Sequence, residues 1–375
     1  MAWREAATLI VAARSANTSL KSSIGPVLKN TSSAVDKKTY GDDRSTKIHA
    51  DYGVLMAKRS NRSSFMASTY VFPGGVVDPS DYSSKWWSLF DKLGYQKDNL
   101  IKTMSSRVCA PRPPMITHPI SSNHNDGLIP DIALRITAIR EAFEETGLLI
   151  LVDPQSKPEE SPKKLLDDNF NEELLDWRSR IRQNGEAFIE MCHRFKKIPN
   201  IWSLYEWWNW ATPKLEGPKR FDTMFYIHFA DYQSKVILDN TEVTNFKWAT
   251  PKEILQEFAE KKIILAPPQV FELGRIANFD NLTDLQKFSV DREKQSVEKW
   301  LPVLIKHPKG REVYLPGDIL YPDDPETDLE LINDQNESEL MNSGVTINRI
   351  RSHENSFTYI SNYKTYGHLK PIFIT

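Results

Sequence analysis

Cysteine, long apolar runs and net charge are all scarce in this sequence. The two cysteines, Cys109 and Cys192, cannot form the disulfide framework of a small secreted protein and are typical of a reducing compartment. No run approaches the roughly 18 consecutive apolar residues of a membrane span, and the short apolar run at residues 8–13 predicts a strand. The net charge of −2 favours neither RNA nor a membrane surface as a partner.

The sequence does contain a crowded acidic run that begins at Arg140. Four apolar residues recur at helical spacing and predict one stripe facing the core: Ile132, Ile136, Ile139 and Phe143. At about 100° per residue, Glu141, Glu144 and Glu145 then share the opposite, exposed face. Carboxylates so close repel one another, whereas Mg²⁺ and Mn²⁺ bind oxygen ligands. The run therefore predicts a metal site with Mg²⁺ or Mn²⁺ as cofactor, and a solvated acidic helix face is the alternative.

A second motif lies far upstream, where a strand-like run ends in Pro73-Gly74-Gly75. Proline and paired glycines after apolar residues are typical of a tight loop. Without a Cβ, the glycines let backbone N–H groups approach a phosphate or a helix end closely. The loop is therefore predicted to contribute to substrate binding through Gly74 and Gly75.

Together the two motifs resemble the two halves of the Nudix box, separated here by an insertion. Gly75 matches the opening glycine, and Asp81 stands where the family has glutamate. The second half matches at every fixed position: Arg140, Glu141, Glu144, Glu145, Gly147 and Leu148. The resemblance implies an α/β fold, a Nudix α/β/α sandwich around a mixed sheet. It also implies hydrolysis of a phosphoanhydride, with Glu144, Glu145 and Arg140 as catalytic residues and Glu141, Glu144 and Glu145 as metal ligands.

One branch of the family, the acyl-coenzyme A diphosphatases, is similar over nearly the whole chain. The matching stretches are residues 3–7, 72–78, 140–147, 201–204, 220–223 and 315–318. This resemblance implies coenzyme A or acyl-coenzyme A as the small-molecule substrate. The products would be adenosine 3′,5′-bisphosphate and 4′-phosphopantetheine or its acyl form.

Basic residues near the first motif are candidates for the 3′-phosphate of coenzyme A. Lys58, Arg59 and Arg62 lie where coenzyme A-specific relatives carry an extra motif, although the match is partial. A solvated basic loop is the alternative. Arg220 is a further candidate, and Glu242 is one position for a general base.

Other functions stay open at this point. The same box could hydrolyse another nucleoside diphosphate derivative or an RNA cap, or the chain could be a Nudix-fold binding module without turnover. The four intact charged residues of the second half argue against the binding module. The aromatic cluster at residues 202–210 is expected to pack in the core rather than to stack on an adenine ring.

The predicted organisation is a Nudix domain over 5–265, with insertions near 82–130 and 153–205, and a C-terminal extension over 266–375. Strands are predicted near 6–13, 52–58, 68–73, 147–152, 221–229 and 243–248, and helices over 132–146, over 177–196 and from Thr250. The family suggests an organelle matrix, mitochondrial or peroxisomal, yet the final residues are not an S-K-L signal, so the cytosol stays an alternative. Nothing in the sequence indicates an oligomeric state.

Overall fold

The computed structural model describes residues 3–15, 50–63, 66–118, 126–154, 172–213, 219–234, 236–237, 242–307, 310–326, 344–353, 356–365 and 367–374. Within these ranges no helix is long and apolar enough to cross a membrane.

A mixed sheet forms the centre of the described structure. Its strands are β1 (Arg4–Arg14), β2 (Tyr52–Arg59), β3 (Tyr70–Val71), β4 (Gly74–Val76), β7 (Leu204–Ala211), β8 (Phe221–Ala230), β9 (Val243–Ala249) and β10 (Lys299–Trp300). The order is β10-β7-β8-β1-β2-β3, with β4 also paired to β1 and β9 to β2. The strand β1 runs parallel to β8 along nearly its whole length and antiparallel to β2 and β4.

The strand β1 shows why both faces of the sheet must be covered. Its residues from Ala6 to Ala13 are almost all buried, which matches the continuous apolar run in the sequence. Leu9 and Val11 belong to one core cluster, and Ile10 and Ala12 belong to a second cluster on the other face. This two-sided core confirms the predicted α/β/α arrangement.

Nine helices are described. They are α1 (Lys85–Lys92), α2 (Lys97–Ser105), α3 (Pro114–Thr117), α4 (Pro130–Thr146), α5 (Glu172–Gln183), α6 (Glu186–Phe195), α7 (Pro251–Ala259), α8 (Pro267–Ile276) and α9 (Leu282–Glu293). The acidic motif lies at the end of α4, and Gly147 terminates that helix as predicted. The predicted helix start at Thr250 is also confirmed, because Thr250 and Glu253 form a reciprocal capping box.

The single helix predicted over 177–196 is wrong, since two helices occupy that stretch. The chain breaks at Asn184 and Gly185, between α5 and α6. A Cβ on Gly185 would lie 2.8 Å from the carboxyl carbon of Asp78, so this turn must approach a neighbouring loop too closely for a side chain. The break also has a local cause, because the side chain of Asn184 accepts the backbone N–H of Glu186 at 3.1 Å.

Two strand predictions also need correction. The strand predicted near 147–152 is only β5 (Leu151–Val152), which pairs with β6 (Ile198–Pro199) outside the central sheet. The strand β7 was missed because its run of tryptophans lacks alternation of apolar and polar residues. Trp207, Trp208 and Trp210 are at most 3% exposed, so the prediction of core packing is confirmed for them.

The C-terminal part of the chain packs closely on the rest. Four strands form a second sheet in sequence order: β11 (Val303–His307), β12 (Gly310–Tyr314), β13 (Asn348–His353) and β14 (Ser356–Ser361). Ile372 donates its backbone N–H to the carbonyl of Gly274 in α8 at 2.9 Å. The strand β10, from the predicted extension, joins the central sheet. The division of the chain at residue 265 stays a prediction.

Candidate active site

The glycine loop and the acidic end of α4 meet at one place despite the insertion between them. The backbone N–H of Gly74 donates to Oε2 of Glu145 at 3.0 Å. A Cβ on Gly75 would lie 2.5 Å from the carboxyl carbon of Glu141, so only glycine fits there without displacing that carboxylate. The structure therefore brings Gly74, Gly75, Glu141 and Glu145 together.

Arg140 lies in the middle of this group and is almost fully buried. Its Nε and Nη2 atoms each donate to Asp81 at 2.8 Å, in a two-pronged ion pair. The same guanidinium donates to Glu141 at 2.9 Å and to Glu144 at 2.6 Å, and also to the carbonyl of Val76. Arg140 thus ties the loop to the helix and orients two of the box carboxylates, as its predicted position implies.

Asp81 has its own fixed surroundings, and it is only 1% exposed. It closes a capping box with Asp78 on the short 3₁₀ turn Pro79–Tyr82 and accepts the hydroxyl of Thr137 at 2.8 Å. The Nudix pattern has a glutamate at this position, whose side chain is one methylene longer. From this turn, the shorter aspartate is long enough to reach Arg140. The contacts of Asp81 hold Arg140 in place.

The prediction of an exposed acidic face is wrong. Glu145 is only 4% exposed, and the side chains of Glu141 and Glu144 are 14% and 13% exposed. The glycine loop covers one side of α4, and α5 packs beside its C-terminal end. Helical periodicity cannot reveal this cover, because the covering segments are distant in sequence.

Burial perturbs all three carboxyl groups. Desolvation raises the pKa of Glu141 to about 7, against the lowering effect of Arg140, with a further rise from Glu144. Desolvation, followed by repulsion from Glu141, holds the pKa of Glu145 well above its usual range, although Gly74 and Arg59 act in the opposite direction. The pKa of Glu144 is also raised, again chiefly by burial. Ionisation of these three carboxyl groups is therefore unfavourable, because Arg140 alone supplies most of the positive charge near them.

This donor set fits a hard divalent cation by its chemistry. Oxygen-only ligands, crowded and short of positive charge, are those that Mg²⁺ and Mn²⁺ prefer. In the ranges that the structure describes, however, no group of three His, Cys, Asp or Glu side chains is arranged to hold an ion as it stands. Arg140 bonds to Glu141 and Glu144, so these carboxylates must turn toward an ion for all three to bind it.

The basic residues that the sequence analysis proposed for phosphate binding lie in different surroundings in the structure. Arg59, at the end of β2, donates to the hydroxyl of Ser63 and is close enough to Glu145 to lower its pKa against the larger effect of burial. Lys58 instead lies 5.8 Å from the centroid of the Tyr70 ring, and Arg62 is exposed. Arg220 bonds to Glu326 and stacks on Trp3. Of these four, Arg59 is the residue beside the box carboxylates.

Two arginines at the end of α4 were not predicted. Arg178, on α5, donates to the carbonyls of Glu144 at 2.9 Å and Glu145 at 2.7 Å. Arg182, one turn later, donates to the carbonyl of Glu144 at 3.0 Å. Cations at a helix C-terminus satisfy its open carbonyls and complement its dipole. The i, i+4 spacing of two arginines was the available signal, but it did not indicate which helix they cap.

Comparisons with known proteins agree with this geometry. The family model described as the NUDT19 Nudix domain matches residues 3–276. Three curated relatives carry the name acyl-coenzyme A diphosphatase NUDT19. The protein from Xenopus laevis is 37% identical over 99% of this chain and 96% of its own, and that from Gallus gallus is 34% identical over 99% and 95%. The protein from Homo sapiens is 36% identical over 80% of each chain.

Proposed function

This chain belongs to the NUDT19 branch of the Nudix hydrolases, and on that basis we propose that it hydrolyses the diphosphate bond of coenzyme A or acyl-coenzyme A. The products are adenosine 3′,5′-bisphosphate and 4′-phosphopantetheine or its acyl form. One observation carries the proposal. The glycine loop and the carboxylates of α4 form one buried site, with Gly75 against Glu141 and Gly74 bonded to Glu145.

In this proposal Glu141, Glu144 and Glu145 hold Mg²⁺ or Mn²⁺. Such an ion supplies charge neutralisation on the diphosphate and a more acidic bound water. The raised pKa values of these three groups are what a site evolved for a cation shows when only protein charges surround it.

The protein's own groups position the reactants. Arg140, fixed by Asp81, keeps Glu141 and Glu144 on one side of the site. Gly74 holds Glu145, and Arg59 offers a positive charge to a phosphate group of the substrate. Glu242 is near enough to raise the pKa of Glu145, after the larger effects of burial and Glu141, and is exposed to solvent. We assign it as a candidate proton acceptor.

A substrate panel tests the activity directly. The purified protein is incubated with Mg²⁺ or Mn²⁺ and with coenzyme A, acyl-coenzyme A species, ADP-ribose, a diadenosine polyphosphate and capped RNA, and the products are identified by mass. Release of adenosine 3′,5′-bisphosphate is expected with the coenzyme A species. Preferential cleavage of another member assigns a different Nudix pyrophosphatase activity, and no cleavage with either metal indicates a binding module.

The variant Glu145→Gln tests the metal helix. It removes one charge but keeps the size, so turnover is expected to fall by at least about 100-fold. The free energy of unfolding should hold or rise, because Glu145 is buried and repelled by Glu141. Glu190→Gln, on the exposed side of α6, is the matched control and should keep full activity. Turnover near that of wild type in Glu145→Gln contradicts the assignment.

We propose an organelle matrix, mitochondrial or peroxisomal, as the location. The ground for this proposal is the resemblance of the sequence to the acyl-coenzyme A diphosphatase branch. Fractionation of cells that produce the untagged full chain tests this, and recovery in the cytosol alone contradicts it.

A further inference from the structure

A cavity of about 370 Å³ borders the glycine loop on the face of the sheet opposite α4. Gly74, Gly75 and Arg59 line it at the end next to the box carboxylates. Phe72 and Phe225, which meet edge to face at 6.3 Å, form part of its floor. None of the box carboxylates lines the cavity, but Gly74 and Gly75, which contact Glu145 and Glu141, do, so the cavity lies beside the proposed cleavage site.

The far wall comes from the C-terminal sheet, beyond the residues that the family model matches. Leu304 on β11 and Val313 on β12 face each other in register, and Ile350 on β13 lies beside them. These side chains, with Pro302, make this wall apolar. A Nudix domain without this second sheet would leave that side open to solvent.

We infer that this cavity holds the acyl-pantetheine arm of the substrate, and that the C-terminal sheet sets the preference for acyl-chain length. The inference rests on the proposed function. Of the parts of an acyl-coenzyme A, the nucleotide carries the phosphate charges, whereas the acyl chain gains most from an apolar enclosure. The arm also starts at the diphosphate, and the glycine loop that contacts the box carboxylates lines the cavity.

One buried polar group in the wall fits the amides of the pantetheine arm. Gln269, near the start of α8, lines the cavity and is only 7% exposed. Its Oε1 atom has no hydrogen-bond partner among the described residues. A buried acceptor without a donor is costly, and a substrate amide N–H would satisfy it after a small rotation of the side chain.

The test narrows the cavity from the C-terminal sheet. Val313→Trp extends a larger side chain into the cavity from β12, and Leu304→Ala enlarges the cavity by shortening a side chain on β11. Thr358→Trp, on an exposed position of β14, is the matched control. The substrates are free coenzyme A and its butyryl, octanoyl and lauroyl esters. Binding of lauroyl-4′-phosphopantetheine and of adenosine 3′,5′-bisphosphate is measured by calorimetry without metal.

In wild type, each further methylene of the acyl chain that the cavity encloses is expected to lower the KM by up to about fourfold, which corresponds to about 0.8 kcal/mol. Val313→Trp should raise the KM for lauroyl-coenzyme A at least about tenfold and weaken lauroyl-4′-phosphopantetheine to a similar extent. Free coenzyme A and adenosine 3′,5′-bisphosphate should stay within about twofold, as with the control. Leu304→Ala should shift the preference toward longer chains.

Three results overturn the inference. Equal losses for free coenzyme A and its esters, with weaker binding of adenosine 3′,5′-bisphosphate, assign the cavity to the nucleotide. No change with Val313→Trp or Leu304→Ala shows that the substrate does not use it. If the wild-type protein cleaves other diphosphates but no coenzyme A species, the proposed function is wrong, and the inference is wrong with it. The first two results leave the proposed function intact.

Discussion

Replacing Asp81 by asparagine tests the buried network that holds Arg140 in the site. The substitution keeps the size of the side chain but removes the charge that faces the guanidinium at two positions, each 2.8 Å away. An asparagine retains one acceptor oxygen, whereas the carboxylate accepts from Arg140, from Thr137 and from the backbone of Asp78. At least one of these donors is left without its acceptor.

The expected loss follows from the burial of both groups, with Asp81 at 1% exposure and Arg140 at 4%. Removing one partner of a buried ion pair costs about 3–5 kcal/mol. Glu141 and Glu144 still face the guanidinium, so we expect a loss near 3 kcal/mol, a large part of the roughly 5–15 kcal/mol of a typical protein. Turnover should fall too, because Arg140 no longer has a fixed orientation.

The assay is urea unfolding followed by tryptophan fluorescence, together with turnover of the assigned substrate. Asp78→Asn is the matched control, since aspartate and asparagine cap helical turns about equally well and Asp78 lies on the same turn. If Asp81→Asn is as stable and as active as Asp78→Asn, the network does not hold the site and the reasoning is refuted.

Three further variants test other parts of the structure. Arg178→Met removes the buried donors to the carbonyls of Glu144 and Glu145, so the free energy of unfolding should fall by about 2–4 kcal/mol, and the affinity for a divalent metal ion should fall with it. Arg180→Met, on the exposed side of α5, should change neither. Burial, and then the charges of Arg275 and Arg292, hold the pKa of His368 well below its usual value in the folded protein. Below about pH 6.5 the histidine therefore takes up a proton in the unfolded chain but not in the folded protein, so the free energy of unfolding decreases as the pH falls. From pH 7.5 to 5.5, wild type should lose about 1.4 kcal/mol more than His368→Phe, and equal losses in urea unfolding contradict this. Arg59→Ala should raise the KM for coenzyme A more than Lys58→Ala does, because Arg59 lies beside Glu145 and Lys58 beside Tyr70; equal effects would remove this distinction.

Local pattern was sufficient for several conclusions because the physics behind them is local. The apolar stripe from Ile132 to Phe143 is fully buried as its spacing predicts, and the helix ends at Gly147. The box residues and their spacing were enough to assign the family, even with an insertion between the halves. Apolar runs likewise located β1, β2, β8 and β9 in the central sheet.

Only the tertiary structure decided how the acidic face is used. The segments that cover it come from distant parts of the chain, so periodicity placed Glu145 in solvent although it is 4% exposed. Its partners are Gly74 from the loop and, through the helix carbonyls, Arg178 from α5. Which cation pairs with which buried acid depends on packing between elements, and no local spacing encodes it.

The same reason applies to the cavity beside the glycine loop. The sequence contains the strands of the C-terminal sheet, but Val313 and Ile350 show no sign of which surface they will cover. Folding places them in the lining of one cavity together with Gly74 and Phe72. The sequence by itself determined the family and the charged residues of the box, because these depend on residue type and spacing. The burial of those charges and the apolar enclosure beside them depend on contacts between residues far apart in the chain, which only the folded structure determines.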